Sequence, residues 1–279
     1  HSKLGSNSSS GGGNGSCGYT AATLNNSPAG GVATGSVSHA DASVNDDYGA
    51  SSIAINPKAV TPGVKNTVSW AKFNSSTLAV ESPNPGTGAC DGWCNNSAYN
   101  LPSARRGHSM VAYNGYLYVM GGLDGSGTRT STIYVAKLGA NGEPQLWHPS
   151  DKNKNNWVYW YTDTGLSSGT ARSYLNAVAY NNRMYVIGGQ TNASPGGITT
   201  VEVADILPNG RLGAWTTTGM QALPSGAGTH MSGVQMYNDT LYVIGGFEGA
   251  RTSSANLRNT VYYSKVNSDG TMNTWKQTK

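Results

Sequence analysis

Charge is scarce in this chain. Asp, Glu, Lys and Arg make up 11% of its 279 residues, where a soluble domain ordinarily carries about 25%. Polarity comes instead from Ser, Thr, Asn and Gly, a balance that suits a secreted or surface protein better than a cytosolic one. The net charge of +4 is spread thinly, with Arg105-Arg106 and Lys152-Asn153-Lys154 as its small basic clusters. A nucleic-acid footprint needs a basic stripe and is not expected. No run approaches the ~18 to 20 apolar residues that cross a bilayer as a helix, so no membrane span is expected in the residues given. The chain opens on His1 rather than Met, as a processed form or a fragment does.

Cysteine and histidine are equally sparse. Three cysteines are few for a disulfide scaffold. Cys90 and Cys94 are expected to bond across Cys90-Asp91-Gly92-Trp93-Cys94, since a secreted chain favours oxidation and Gly92 lets the loop turn sharply. Cys17 is left alone or pairs with one of the two, and three free thiols are the alternative. The five histidines, His1, His39, His108, His148 and His230, include no pair with metal-site spacing. His39-Ala40-Asp41 with Asp46-Asp47 lacks an alternating ligand pattern and reads as a solvated loop. No metal or other cofactor is expected, and no nucleophile elbow, phosphate loop or catalytic carboxylate pair stands out.

What the chain has in abundance is repetition. Tyr113-Asn114-Gly115-Tyr116-Leu117-Tyr118-Val119-Met120-Gly121-Gly122 returns as Tyr180 to Gly189 and again as Tyr237 to Gly246, with 67 residues from Gly121 to Gly188 and 57 from Gly188 to Gly245. Asn-Gly, Asn-Asn and Asn-Asp tolerate the positive φ of a tight hairpin, so each copy predicts two strands around a two-residue turn. The Gly pair marks backbone that takes positive φ or passes close to another segment. A Thr-led strand follows, at Thr132 to Leu138, Thr200 to Ile206 and Thr260 to Val266, and occurs once more at Thr67 to Phe73 without the hairpin and Gly pair before it. A second turn then precedes a Trp: Asn141-Gly142 before Trp147, Asn209-Gly210 before Trp215 and Asp269-Gly270 before Trp275. The second Gly of the pair lies 25, 26 and 29 residues before that Trp. Four strands per unit at such a period are the pattern of propeller blades. A hairpin-built sandwich, the alternative, gives no reason for the fixed offsets. Val119, Val186 and Val243 are expected to be buried on equivalent central strands.

The linked positions Leu101-Pro102-Ser103-Ala104-Arg105-Arg106-Gly107-His108-Ser109, the hairpin, the Gly pair and the Asn-Gly-to-Trp spacing resemble the bacterial Kelch-repeat β-propellers. The resemblance covers residues 67–279. It implies an all-β, Kelch-like β-propeller with three clear four-stranded blades (101–150, 151–220 and 221–279) and a partial N-terminal blade with a cysteine loop (67–100). Residues 1–66 form a separate Gly/Ser/Asn-rich segment with short strands at most. Its first 35 residues have a composition that does not support a core and are expected to be pinned by an intersubunit contact, in a self-assembling surface appendage.

Propellers of this type include adhesins and protein-binding hubs, and also enzymes such as galactose oxidase and a sialic acid mutarotase. The expected function is a non-catalytic, extracellular or cell-surface propeller that binds protein or glycan. The alternative is a carbohydrate-active propeller enzyme of the mutarotase or oxidase kind. Residues 101–279 hold no Cys, which disfavours the copper-radical oxidases, whose site includes a Tyr-linked Cys. Candidate ligand residues lie in the loops after the Gly pairs: Asp124, Arg129, Gln190, Asn192, Glu248 and Arg251. Arg105 and Arg172, each eight residues before the hairpin Tyr, join them, although a recurrent Arg more often supports a neighbouring loop. Trp160, within Trp157-Val158-Tyr159-Trp160-Tyr161, reads as packing between blades or as a sugar-stacking platform.

Overall fold

Asn and Asp accept left-handed backbone at little cost, and the three hairpin turns use it. φ is +47° at Asn114, +47° and +55° at Asn181 and Asn182, and +44° and +58° at Asn238 and Asp239. The structure, a computed structural model, describes residues 65–73, 80–81, 94–140, 142–149, 157–166, 171–192, 197–224, 228–248 and 254–278. In chain order the strands are β1 (Ser69–Trp70), β2 (Lys72–Phe73), β3 (Val80–Glu81), β4 (Cys94–Asn95), β5 (Ser109–Tyr113), β6 (Tyr116–Met120), β7 (Ile133–Leu138), β8 (Pro144–Gln145) and β9 (Tyr161–Asp163). They continue with β10 (Asn176–Tyr180), β11 (Arg183–Ile187), β12 (Val201–Asp205), β13 (Gly233–Tyr237), β14 (Thr240–Ile244), β15 (Val261–Lys265) and β16 (Lys276–Gln277). Among the described residues the helical content is 3-10 turns such as Ser97–Tyr99 and Ser254–Asn256.

Each predicted hairpin and its Thr-led strand form one antiparallel sheet. β5-β6-β7, β10-β11-β12 and β13-β14-β15 are paired in the same register, with Val119 opposite Tyr134, Val186 opposite Glu202 and Val243 opposite Tyr262. The three valines are buried as expected, at 3%, 0% and 1% exposure. A fourth strand closes each sheet differently. β16 pairs with β15, and the second sheet has single bridges at Val203–Thr216 and Ile206–Leu212. In the first sheet β8 pairs with one end of β7 and β9 with the other.

That split corrects two expectations. Thr162 lies opposite Tyr134 and Gln277 opposite Tyr262, both on the residue that faces the central valine. Two residues earlier stand Trp160 and Trp275, so Trp160, not Trp147, is the counterpart of Trp275 and Trp215. The indole N–H groups agree: Trp160 donates to the Tyr99 carbonyl and Trp275 to the Gln221 carbonyl, each at 2.8 Å. Trp147 belongs to an excursion interrupting the fourth strand, where it bridges Val158. Residues 157–163 therefore lie on the sheet of 101–150 and do not open the next one.

The sheets stack as blades. The first strands β5, β10 and β13 adjoin one another, so the sheets converge at that edge. Between the first and second sheets, Tyr118, Met120, Ile133 and Val135 pack on Met184, Val186, Ala177 and Ala179. Between the second and third, Tyr185, Ile187, Val201 and Val203 pack on Leu241, Val243 and Met236. Each such fully buried side chain is worth about 1.5–3 kcal/mol relative to exposure. The free side of the first sheet is covered by Leu101, Val68 and Trp160 against Val119, Tyr134 and Ala136. Trp160→Ala is accordingly expected to cost about 3–5 kcal/mol, and Trp157→Ala, at a side chain 60% exposed, under about 0.5 kcal/mol. Urea unfolding of the two variants measures the contrast.

Both properties expected of the Gly pairs are present. φ is +65° and +95° at Gly121 and Gly122, +61° and +94° at Gly188 and Gly189, and +62° and +94° at Gly245 and Gly246. A Cβ on Gly121 would stand 2.7 Å from the Arg172 carbonyl oxygen, and one on Gly188 2.3 Å from that of Thr229. The second glycine donates its N–H to the same carbonyl, Gly122 to Arg172 at 2.7 Å and Gly189 to Thr229 at 2.9 Å. The pair is thus where one blade's backbone meets the next.

Residues 65–73 take the third-strand place of a preceding unit. Leu101 N–H donates to Asn66 O as Leu166 does to Ser131 O and Leu223 to Thr199 O. The Thr-led strand is here broken into β1, paired with β4, and β2, paired with β3. At the end of the 81–100 insertion, Asn96 caps the 3-10 turn through the Ala98 N–H at 3.0 Å, and the Tyr99 ring sits between Trp70 and Tyr159 at 5.1 and 4.9 Å. The assembly contact through residues 1–35, the Cys90–Cys94 bond, Cys17 and Arg251 lie outside the described residues.

Candidate functional site

Antiparallel pairing brings the start of each first strand to the end of each second strand. Ser109 lies opposite Met120, Asn176 opposite Ile187 and Gly233 opposite Ile244. The segments entering the blades and the loops after the Gly pairs therefore share one end of the sheets, and the hairpin turns occupy the other. Seven residues before each hairpin Tyr, Arg106, Ser173 and His230 bridge the residue after the Gly pair, Leu123, Gln190 and Phe247. The next residue takes positive φ each time: Gly107 +58°, Tyr174 +56° and Met231 +57°.

Arg105 and Arg172 act inside their own blades. Arg105 donates to the Tyr134 hydroxyl at 3.1 Å, with its guanidinium 5.2 Å from that ring's centre, and to Ser103 Oγ at 3.0 Å. Arg172, 1% exposed, forms an ion pair with Glu202, itself 2% exposed. Glu202 faces Val186 as Tyr134 faces Val119, so one slot holds the arginine in both blades. Burial lowers the Arg172 pKa to about 10, which leaves it charged at neutral pH. Both side chains are supports, and neither points its charge at solvent.

Arg129 is the candidate that reaches across blades. Its Nε donates to Ser173 Oγ at 3.0 Å, Nη1 to Asn192 Oδ1 at 2.9 Å and Nη2 to Gln190 Oε1 at 3.4 Å. With Gln190 Oε1 accepting, its Nε2 donates to His230 Nε2 at 3.1 Å, which places the imidazole proton on Nδ1. His230 stacks on Phe247 with ring centres 5.6 Å apart. One hydrogen-bonded line thus joins the loop of the first blade, through the second, to the third.

The remaining candidates are placed as follows. Asp124 folds its own loop, accepting from Ser126 N and Thr128 N at 2.9 Å and from Ser126 Oγ at 2.6 Å. The Ser126 hydroxyl, and then the Thr128 amide, hold its carboxyl below the usual value. Glu248 pairs with Arg258. Trp160 is 7% exposed with its N–H committed to Tyr99, so it packs between blades and offers no stacking platform.

His108 packs under Gly122, where a Cβ would stand 3.0 Å from its own. Burial first, and the Arg105 charge second, lower its pKa from 6.5 to about 4. Between those values the unfolded chain binds a proton that the folded chain refuses, so stability contributed by the neutral ring is present above about pH 6.5 and lost as pH falls toward 4. The urea midpoint is expected to drop across this window, and His108→Gln to flatten the drop.

Sequence reasoning named neither Ser173 nor His230 as a candidate. Aligning the repeats on the hairpin Tyr puts Arg106, Ser173 and His230 in one column, a signal that was readable. It also missed Asp163, 6% exposed, whose Oδ2 accepts from Leu212 N at 2.7 Å while Oδ1 lies 3.6 Å from Arg211 Nη2. No spacing in the sequence announces that contact. Among the described residues, no cluster of three or more His, Cys, Asp or Glu is arranged to hold a metal ion.

Residues 104–135 match the Kelch motif. A search of curated proteins returns no match. Among solved structures the chain is similar to that of YjhT, with 15% sequence identity and a TM-score of 0.46, over 74% of this chain and 51% of the other. The chain spans about half the length of that neighbour. The matched motif lies over the first complete hairpin, and the second and third sheets repeat its strand register, so the described sheets have the Kelch-like β-propeller fold.

Proposed function

We propose that the end carrying the Gly-pair loops is a non-catalytic recognition surface for protein or glycan, on an extracellular or cell-surface protein. The observation that carries this reading is the setting of Arg129. Its guanidinium has five N–H groups, and three acceptors from the next blade take one each. Among the described residues, two N–H groups remain on a fork already locked in place, beside the exposed Asn192 side chain. A fixed fork binds carboxylate, carbonyl or hydroxyl oxygens with little further loss of side-chain entropy. The low charge and high Ser, Thr and Asn content support a surface location.

Glycan-array screening followed by calorimetry on the best ligand tests the reading. Arg129→Ala is expected to weaken binding about 10- to 100-fold, the worth of a charged hydrogen bond, and to lower the thermal midpoint as well, because it unties three hydrogen bonds to the next blade, so binding is compared well below that midpoint. Binding indifferent to Arg129 and Asn192 would sink it. Turnover of a sugar by the purified chain, lost in the same variants, would replace it with the carbohydrate-active alternative.

A further inference from the structure

We propose that the cleft between the fourth strands of the first and second blades is a binding site for a free small phenol. It lies apart from Arg129 and does not rest on the recognition surface described above.

The amides of Leu101, Leu166 and Leu223 hold equivalent positions, donating to the Asn66, Ser131 and Thr199 carbonyls. Two residues before them stand Tyr99, Thr164 and Gln221. Trp160 donates its indole N–H to the first of these carbonyls and Trp275 to the third, each at 2.8 Å. The Thr164 carbonyl is the matching acceptor for Trp215. Yet Trp215 Nε1 is buried and has no acceptor among the described residues. A buried donor left unbonded is costly, and an oxygen brought by a ligand can satisfy it.

The place beside this donor is hollow, for a reason visible in the neighbouring junction. There the Tyr99 ring meets Tyr159, the residue before Trp160, with 4.9 Å between ring centres. The same two places at the second junction hold Thr164 and Ala214, and Gly165 and Gly213 stand where the first has Asn100 and Val158. Two phenol rings thus give way to the short side chains of Thr and Ala. A cleft of about 450 Å³ opens, lined by these four residues with Leu166, Leu212 and Trp215. That volume lies within the range of small-molecule sites.

The lining selects the ligand. Leu166, Leu212, Ala214 and the Trp215 ring present apolar surface, and the two glycines carry no side chain to hold a flat ring off the backbone. A hydroxyl has one donor and two lone pairs, so a phenol can accept from Trp215 Nε1 and donate to the Thr164 carbonyl. It completes by insertion the bond that Trp160 and Trp275 make directly. Trp215 is half-buried, which leaves the indole room to turn its N–H toward an oxygen that enters. A pyranose carries hydroxyls around its whole edge and would press most of them against apolar side chains without partners. A bare hydrocarbon ring would leave the indole N–H unbonded.

p-Cresol, the side chain of tyrosine, is titrated into the full chain while the Trp215 indole N–H is followed by nitrogen–proton NMR, its resonance assigned by loss in Trp215→Phe. A saturable shift of that resonance is expected, with toluene binding at least about 10-fold more weakly for want of the hydroxyl. Ala214→Tyr restores the ring of the first junction at an exposed position, and should abolish p-cresol binding with the fold intact. If that variant misfolds, Trp215→Phe still decides, because line broadening of the ligand should then show p-cresol reduced to the affinity of toluene. The absence of a saturable shift, equal affinities for p-cresol and toluene in the unaltered chain, or a shift that survives Ala214→Tyr overturns the proposal. Tighter binding of methyl glucoside than of p-cresol would make the cleft a sugar site and overturn it. Self-association of the chain that p-cresol reverses would give the cleft to a tyrosine of a second copy, such as Tyr237, which is 66% exposed, and overturn it equally.

Discussion

Gly188→Ala is expected to remove more than about 3 kcal/mol of stability, enough to unfold much of a marginally stable chain. Left-handed backbone alone costs a residue with a Cβ about 1–2 kcal/mol. The larger part comes from the neighbour, since the methyl carbon would stand 2.3 Å from Thr229 O, an atom fixed by the Gly189 N–H at 2.9 Å. Relieving the clash means separating the second and third blades at that point, with loss of the hydrogen bond and of packing around Ile187 and Val201. Gly115→Ala is the internal control: φ is +77° and nothing lies within 4 Å of the added carbon, so about 1–2 kcal/mol of backbone strain is its whole expected cost. Urea unfolding of both variants distinguishes contact from strain. Equal losses at the two positions would show that the close approach across blades carries no energy.

Glu202→Gln is expected to cost about 3–5 kcal/mol, because it leaves the Arg172 guanidinium charged at neutral pH in a place 1% exposed. Replacing both partners, as Arg172→Met with Glu202→Leu, removes the buried charges together and should recover most of that loss. Arg105→Met should cost less, about 1.5–3 kcal/mol, since its partner Tyr134 is neutral and tolerates losing one hydrogen bond. A double variant no better than Glu202→Gln alone would mean that the pair stabilises the fold in its own right, beyond not being left half-made. Denaturant midpoints of the four proteins at constant salt provide the comparison.

How legible the chain was depended on the range of the contact. The hairpins were readable because Asn-Gly, Asn-Asn and Asn-Asp act locally, through the φ values that short polar side chains and glycine tolerate. The Gly pairs were readable for the same reason, and of the two properties offered for them as alternatives, positive φ or close approach, the backbone shows both. The Trp register was not. Asn141-Gly142 and Trp147 imitate the spacing of the other repeats, yet an excursion interrupts the fourth strand and Trp160 takes the place. A fixed offset counts residues along the chain, whereas the place itself is set by pairing with Tyr134.

The candidate site divided along the same line. Grouping the loops after the Gly pairs at one end follows from antiparallel pairing, and Arg129, Gln190 and Asn192 do come together there. The sequence placed Arg105 and Arg172 in one repeat column but did not determine what each would meet, since Tyr134 and Glu202 arrive from the third strand. Asp124 was readable as a loop residue but not as the support of its own loop, where its carboxylate is taken up by Ser126 and Thr128 two and four residues on.

By itself, then, the sequence determined the hairpins, the burial of Val119, Val186 and Val243, and the blade period, all of which rest on turn chemistry and on the alternation of side chains along a strand. Only the tertiary structure decided which Trp closes the first blade, that Arg172 is neutralised by Glu202, and that one hydrogen-bonded line runs from Arg129 to His230. Those contacts join residues tens of positions apart, and their partners are chosen by how sheets stack, which no local preference encodes.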